Sequence, residues 1–169
     1  MNQTPSRLTV HQPLVAPLSG SLRVAYIAAS WHSDIVQQAQ KGFLAELERL
    51  CPCPQQVDLF TVPGALEIPL HAKRLAQFGH FDAIVACGFV VDGGIYRHEF
   101  VTAAVIDGLM RVQLDTGVPV FSVVLTPKNF QEQPEQIAFF ASHFVKKGAE
   151  AARACLETVA SLRAVSLAD

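Results

Sequence analysis

Four compact apolar runs, each followed by turn residues and most by a segment with helical spacing, narrow the folds open to this chain more than any other feature. Residues 21–30 (SLRVAYIAAS) suit a buried strand, and Ile35, Val36, Ala39, Phe43, Leu44 and Leu47 then recur with a helix's period. Residues 56–62 form a second strand, Pro63-Gly64 a turn, and residues 65–78 a helix closed by Gly79. A fully apolar strand over 83–91 leads through Asp92-Gly93-Gly94 into a helix over 96–116 that stops at Gly117. Residues 119–126 give the fourth strand, and residues 134–163 a long last helix with a break expected near Gly148. Strands alternating with helices at this spacing imply an α/β fold, a three-layer α/β/α arrangement around a central four-stranded parallel sheet. Residues 1–20, with Pro5, Pro13 and Pro17, read instead as an extended N-terminal arm able to add to a neighbour's sheet edge. The organisation is therefore an arm over 1–20 and a single domain over 21–165.

Half of the 169 residues are apolar and only 17% are charged, which leaves a monomer little polar material for its surface and favours a homo-oligomer. A net charge of -2 with no clustered basic face speaks against nucleic acid or an anionic membrane as partner, and for small molecules. The N-terminus has no sustained apolar core of the secretory kind, and the apolar stretch 81–91 is about half of a ~20-residue membrane span, so the expected location is cytoplasmic. Cysteines 51, 53, 87 and 155 lack metal-type spacing and read as four reduced thiols rather than a metal site or a disulfide.

Ligands of open parallel sheets sit at the carboxyl ends of the strands, which directs attention to the loops over 30–33, 62–67, 89–98 and 122–129. Residues 62–69 (VPGALEIP) pass from strand to helix and leave backbone N–H donors facing that crevice. Glu67 falls in the first helical turn, where spacing alone favours a capping role over ligand contact. Residues 89–100 (FVVDGGIYRHEF) bring two glycines, suited to an anion-binding nest or simply to a turn, next to Arg97 and His98. A guanidinium can clamp phosphate and an imidazole can shuttle a proton, although a solvated helical turn accounts for both residues equally well. Trp31, the one tryptophan, is either a core plug or a platform for a planar heterocycle. His11, His71, His80 and His143 have no partner spacing and read as structural or exposed, while Lys146-Lys147-Gly148 is a solvated face or a reach toward a neighbour's phosphate.

Taken in order, VPGALEIP at 62–69, the strand 83–91 with Asp92-Gly93-Gly94, TGVPV at 116–120 and Lys146-Lys147-Gly148 resemble the lumazine synthase family over about residues 21–160. GGIYRHEF looks like that family's type II variant. The resemblance implies a flavodoxin-like fold and condensation of 5-amino-6-(D-ribitylamino)uracil with 3,4-dihydroxy-2-butanone 4-phosphate to 6,7-dimethyl-8-ribityllumazine in riboflavin biosynthesis. It implies no metal or organic cofactor. It also implies that Trp31 stacks on the uracil, that Ala65, Leu66 and Glu67 meet the uracil and its ribityl chain, that Phe89, Val90 and Val91 line the pyrimidine, and that Gly94 and Ile95 approach the ketose phosphate. Pentamers with shared sites, and here a pair of pentamers, are the implied assembly.

Three positions depart from the family's pattern. Ser122 stands where most members have a Phe contributed by the adjacent subunit. The usual proton-transfer His aligns with Arg97, while His98 comes one position later, about 100° around a helix. The usual phosphate-binding Arg has no match, and Gln136 lies closest to its place, so Arg97 is expected to supply the missing charge. These departures motivate a second expectation, a flavin- or lumazine-binding protein with weak or lost catalysis. A signalling module of the same fold is disfavoured because Ala29-Ser30-Trp31 replaces the phosphoacceptor Asp such a module needs.

Overall fold

The most apolar strands lie inside the sheet. In the computed structural model, which describes residues 20–51, 53–93 and 97–166, β1 (Leu22–Ala29) sits between β2 (Gln55–Val62) and β3 (Ala83–Phe89), and β4 (Val120–Leu125) completes the order β2-β1-β3-β4. All three pairings are parallel, with Ala29 opposite Val62, Ala28 opposite Cys87 and Phe89 opposite Leu125. Every residue of β3 is buried, whereas edge strand β2 exposes Gln56, Leu59 and Thr61. The helices are α1 (Ser33–Leu50), α2 (Ile68–Phe78), α3 (His98–Thr116) and α4 (Pro134–Ser166).

Strand parity assigns the two cores. Leu22, Val24, Tyr26, Val85, Cys87 and Phe89 face α1 and α4, while Ala25, Ile27, Ala29, Ile84 and Ala86 face α2 and α3. The chain runs from β1 outward to β2, then back across to β3 and on to β4. Right-handed crossovers oblige the intervening helices to change face when that direction reverses. The outcome is the expected three-layer, flavodoxin-like architecture. The expected arm lies outside the described residues apart from Gly20.

Three local expectations are corrected. The helix expected over 65–78 is a 3-10 turn at Ala65–Glu67 followed by α2, because Pro69 has no N–H to donate to the Ala65 carbonyl; Ile68 donates to it instead. The break expected near Gly148 is absent, and α4 runs unbroken. A Cβ at Gly148 would overlap the Ala39 carbonyl oxygen, and one at Gly42 would overlap that of Val145. The two glycines let the α1 and α4 backbones touch, so their role is close approach rather than termination. By contrast Gly117 does end α3, with φ 72° and its N–H donated to Gln113.

The third correction concerns the thiols. The return from α1 into β2 places the Cα atoms of Cys51 and Cys53 5.3 Å apart, within bridging range, and the two are joined as a disulfide. Cys87 and Cys155 are free and buried, and burial pushes each thiol up to about 12. Both should therefore resist iodoacetamide in the native protein at neutral pH. Denatured without reductant, the chain should titrate two thiols, and with reductant four; four in both conditions would remove the crosslink.

At the amino end of the sheet Asp82 ties three elements together. Its Oδ2 accepts from the Arg23 N–H at 2.7 Å and its Oδ1 from Arg163 of α4 at 2.8 Å. A groove of about 420 Å³ lies beside this tie, lined by Phe81, Val118, Val159 and Leu162 among others. It is at the opposite end of the sheet from the loops singled out by the sequence.

Candidate functional site

The order β2-β1-β3-β4 puts a topological switch point between β1 and β3, where the chain leaves in opposite directions and the helices lie on opposite faces. Loops part there and leave a crevice beyond the strand ends. Trp31 follows β1, Ala65–Glu67 follow β2, and Val90 to Gly93 and His98 follow β3, so these residues surround the end of the sheet. Ser30 stitches the first two loops, donating its N–H and its hydroxyl to the Val62 carbonyl at 2.9 and 3.0 Å. A Cβ at Gly88 would lie 3.7 Å from those of both Ala29 and Ala65, which shows how closely the Ala65 turn sits on β1 and β3.

The turn is braced by Glu67, whose Oε2 accepts from the Gly64 N–H at 2.9 Å. Capping is thus a role of Glu67, as the spacing favours, and the residue is exposed. Leu66 is 55% exposed.

Trp31 is held outward by its neighbour. His32 adopts a left-handed conformation with φ 52°, and its carbonyl accepts from Ile35 and Val36 at the start of α1. The His32 ring is edge-on to Phe89 and Phe130, with centroids 5.5 and 5.6 Å away. Phe89 also meets Phe140 and Phe144 of α4. With His32 anchored in this cluster, Trp31 is left 69% exposed and is not a plug of this chain's core. The cluster takes the Phe89 ring, which is 4% exposed, so only the backbone there can face a ligand. Val90 is buried and Val91 half-buried.

Arg97 and His98 point to different surroundings. Arg97 precedes α3 with extended backbone, and its guanidinium lies 5.0 Å over the Phe100 ring and 4.0 Å from Glu99. It is exposed. His98 opens α3 with its side chain 11% exposed, Nδ1 against the Asp92 carboxylate and 3.5 Å from Glu99. The single-residue offset therefore separates an exposed cation from a seated imidazole. Gly94 and Ile95, and the nest expected at Gly93-Gly94, lie outside the described residues or depend on those that do.

Ser122 and Gln136 stand apart. Ser122 is opposite Ala86, three positions short of the end of β4, roughly 10 Å from the crevice. It is exposed on an edge groove of about 310 Å³ that also includes Phe121, Lys147 and Glu150. Lys147 is paired with Glu150 at 2.6 Å, and Lys146 is exposed. The Gln136 side chain accepts from the Gln131 N–H at 2.9 Å and so braces the loop before α4. Among the described residues no group of three or more His, Cys, Asp or Glu could hold a metal ion, and no helix is long and apolar enough to cross a membrane.

Residues 21–163 match the family described as 6,7-dimethyl-8-ribityllumazine synthase. The chain belongs to this family. It is 62% identical over 143 residues to a 6,7-dimethyl-8-ribityllumazine synthase of Rhodococcus erythropolis, covering 85% of this chain and 92% of that one. It is 52% identical over 147 residues to 6,7-dimethyl-8-ribityllumazine synthase 2 of Pseudomonas syringae, covering 87% and 86%. The corresponding protein of Bradyrhizobium diazoefficiens is 53% identical over 140 residues, covering 83% and 84%.

Within this lumazine synthase fold, sequence reasoning missed His32, Phe130 and the carboxylate of Asp92. Phe89 had a usable signal, since it shares strand parity with Ala83, Val85 and Cys87 and so faces α4. The Asp92 contact had none, because it spans a loop whose path the sequence does not specify.

Proposed function

We propose that this chain is a type II lumazine synthase, a transferase that condenses 5-amino-6-(D-ribitylamino)uracil with 3,4-dihydroxy-2-butanone 4-phosphate. The observation that carries the reading is the match over 21–163, which brings the whole ordered set of site loops with it. The exposed Trp31 supplies a flat face for the uracil, with Ala65, Leu66 and Glu67 along the ribityl chain and the backbone of Phe89 to Val91 along the pyrimidine. Gly94, Ile95 and Arg97 receive the phosphate.

The 5-amino group attacks the ketone, water leaves to give an imine, phosphate is eliminated, and tautomerisation and ring closure release a second water. Holding two reactive molecules in line contributes on the order of 7 kcal/mol in favourable cases. His98 moves protons between the attacking nitrogen and the leaving oxygens, worth ~10² to 10⁴-fold.

The assembly is built from pentamers and paired into a decamer, with Ser122 and Lys146 presented to a neighbour's site. Exposed Phe100, Met110 and Leu114 support burial by adjacent subunits. Native mass spectrometry reads the subunit number directly, and a monomer would sink the shared-site arrangement.

Mixing the purified chain with both substrates and following product absorbance should give a rate well above the uncatalysed background. A rate equal to background, with flavin or lumazine still bound, would favour the binding protein over the enzyme.

A further inference from the structure

The His98 ring is seated rather than solvated. Its Nδ1 is buried, without an aligned hydrogen bond, and two carboxylates approach it, Asp92 Oδ1 in contact and Glu99 Oε2 at 3.5 Å. Asp92 is itself held from the other side, where its Oδ2 accepts from the Asn129 N–H at 3.4 Å. One carboxylate therefore links the loop after β3, the first residue of α3 and the loop between β4 and α4. Glu99 lacks such bracing, since its carboxylate is exposed and shared with Arg97.

We propose that Asp92 is the positioning residue for His98, fixing both the orientation of the imidazole and its tautomer. A carboxylate accepts but cannot donate, so the proton of a neutral His98 resides on Nδ1 and the lone pair on Nε2. Nε2 then takes the proton shed by the 5-amino nitrogen as its bond to the ketone carbon forms. Asp92 stabilises the imidazolium while that proton is held. Nε2 returns that proton to the former ketone oxygen, giving the carbinol, and then relays the nitrogen's second proton to the carbinol oxygen, whose bond to carbon breaks as water leaves and the imine forms. The ring ends each cycle neutral, and Asp92 is never protonated.

The proposal rests on reading His98 as the proton-transfer group, and a double-mutant cycle separates the two. Asp92→Asn, His98→Ala and the pair are compared by kcat and by KM for each substrate, with thermal melting to confirm folding. Asp92→Asn should lower kcat about 10-fold, the lower range for removing an orienting partner of a ring nitrogen, with both KM values held. In the His98→Ala background the same change should do nothing further. Asp92→Glu, which keeps a carboxylate, should recover part of the loss. An unchanged kcat in Asp92→Asn, or an equal loss with and without His98, would overturn the positioning role. A normal kcat in His98→Ala would instead overturn the underlying reading of His98, and the positioning role with it.

Discussion

Gly148→Ala should destabilise the protein by about 3 kcal/mol, the upper end for overpacking, and lower its Tm by roughly 6 to 12 °C at this chain length. Intrinsic helix propensity argues the other way, since alanine improves on glycine by about 1 kcal/mol in a helix interior. The crossing decides the sign. A Cβ there would overlap the backbone carbonyl of Ala39, and backbone cannot yield as the tip of a flexible side chain does. Gly42→Ala meets the carbonyl of Val145 in the same way and should behave alike. Thermal denaturation at fixed protein concentration reads both. An undiminished Tm would mean that α1 and α4 can part without loss, contrary to the packing of Phe43, Phe144 and Ala152 between them and the sheet.

The second large effect is kinetic. His98→Ala should lower kcat by about 10²-fold, the small end of the range for a lost proton-transfer group, because orientation of the substrates survives. Arg97→Ala should leave kcat nearly intact and raise KM for the ketose phosphate about 10-fold, as expected for one charge-assisted contact of about 1.5 kcal/mol. Steady-state kinetics with each substrate varied in turn distinguishes them. The reverse pattern, kcat lost with Arg97 and KM with His98, would exchange the two roles. Their surroundings set this expectation: His98 is held against Asp92, whereas Arg97 is exposed, with Glu99 and Phe100 beside it.

Much of the architecture was legible in the chain because its signals are local. The apolar runs mark the strands within a residue or two, and β3, buried on both faces, is apolar throughout. Gly148 was misread since a glycine in a helical pattern looks the same whether it ends the helix or admits another. Only the position of α1 tells them apart. The bridging of Cys51 and Cys53 depends on how tightly α1 turns into β2, which composition does not encode. The site divides similarly. Trp31, Ala65 and Glu67 could be placed by counting from strand ends, but the cluster that turns Trp31 outward draws on positions 32, 89, 130, 140 and 144 and has no sequence period.

The long helix α4 serves both ends of the sheet. Near its start Phe140 and Phe144 seat Phe89 and, through it, His32; one turn on, Gly148 lies on α1; near its end Arg163 grips Asp82. Phe140, Phe144 and Gly148 recur every four residues and so lie within about 80° of one another around the helix. Adding a single residue between Phe144 and Gly148 would rotate one set about 100° from the other, so the aromatic seat and the crossing could not both be kept. Added length in the loop over 126–133 would leave this helical register intact, whereas the spacing from Phe140 to Gly148 acts as a ruler that keeps the aromatic seat and the helix crossing in step.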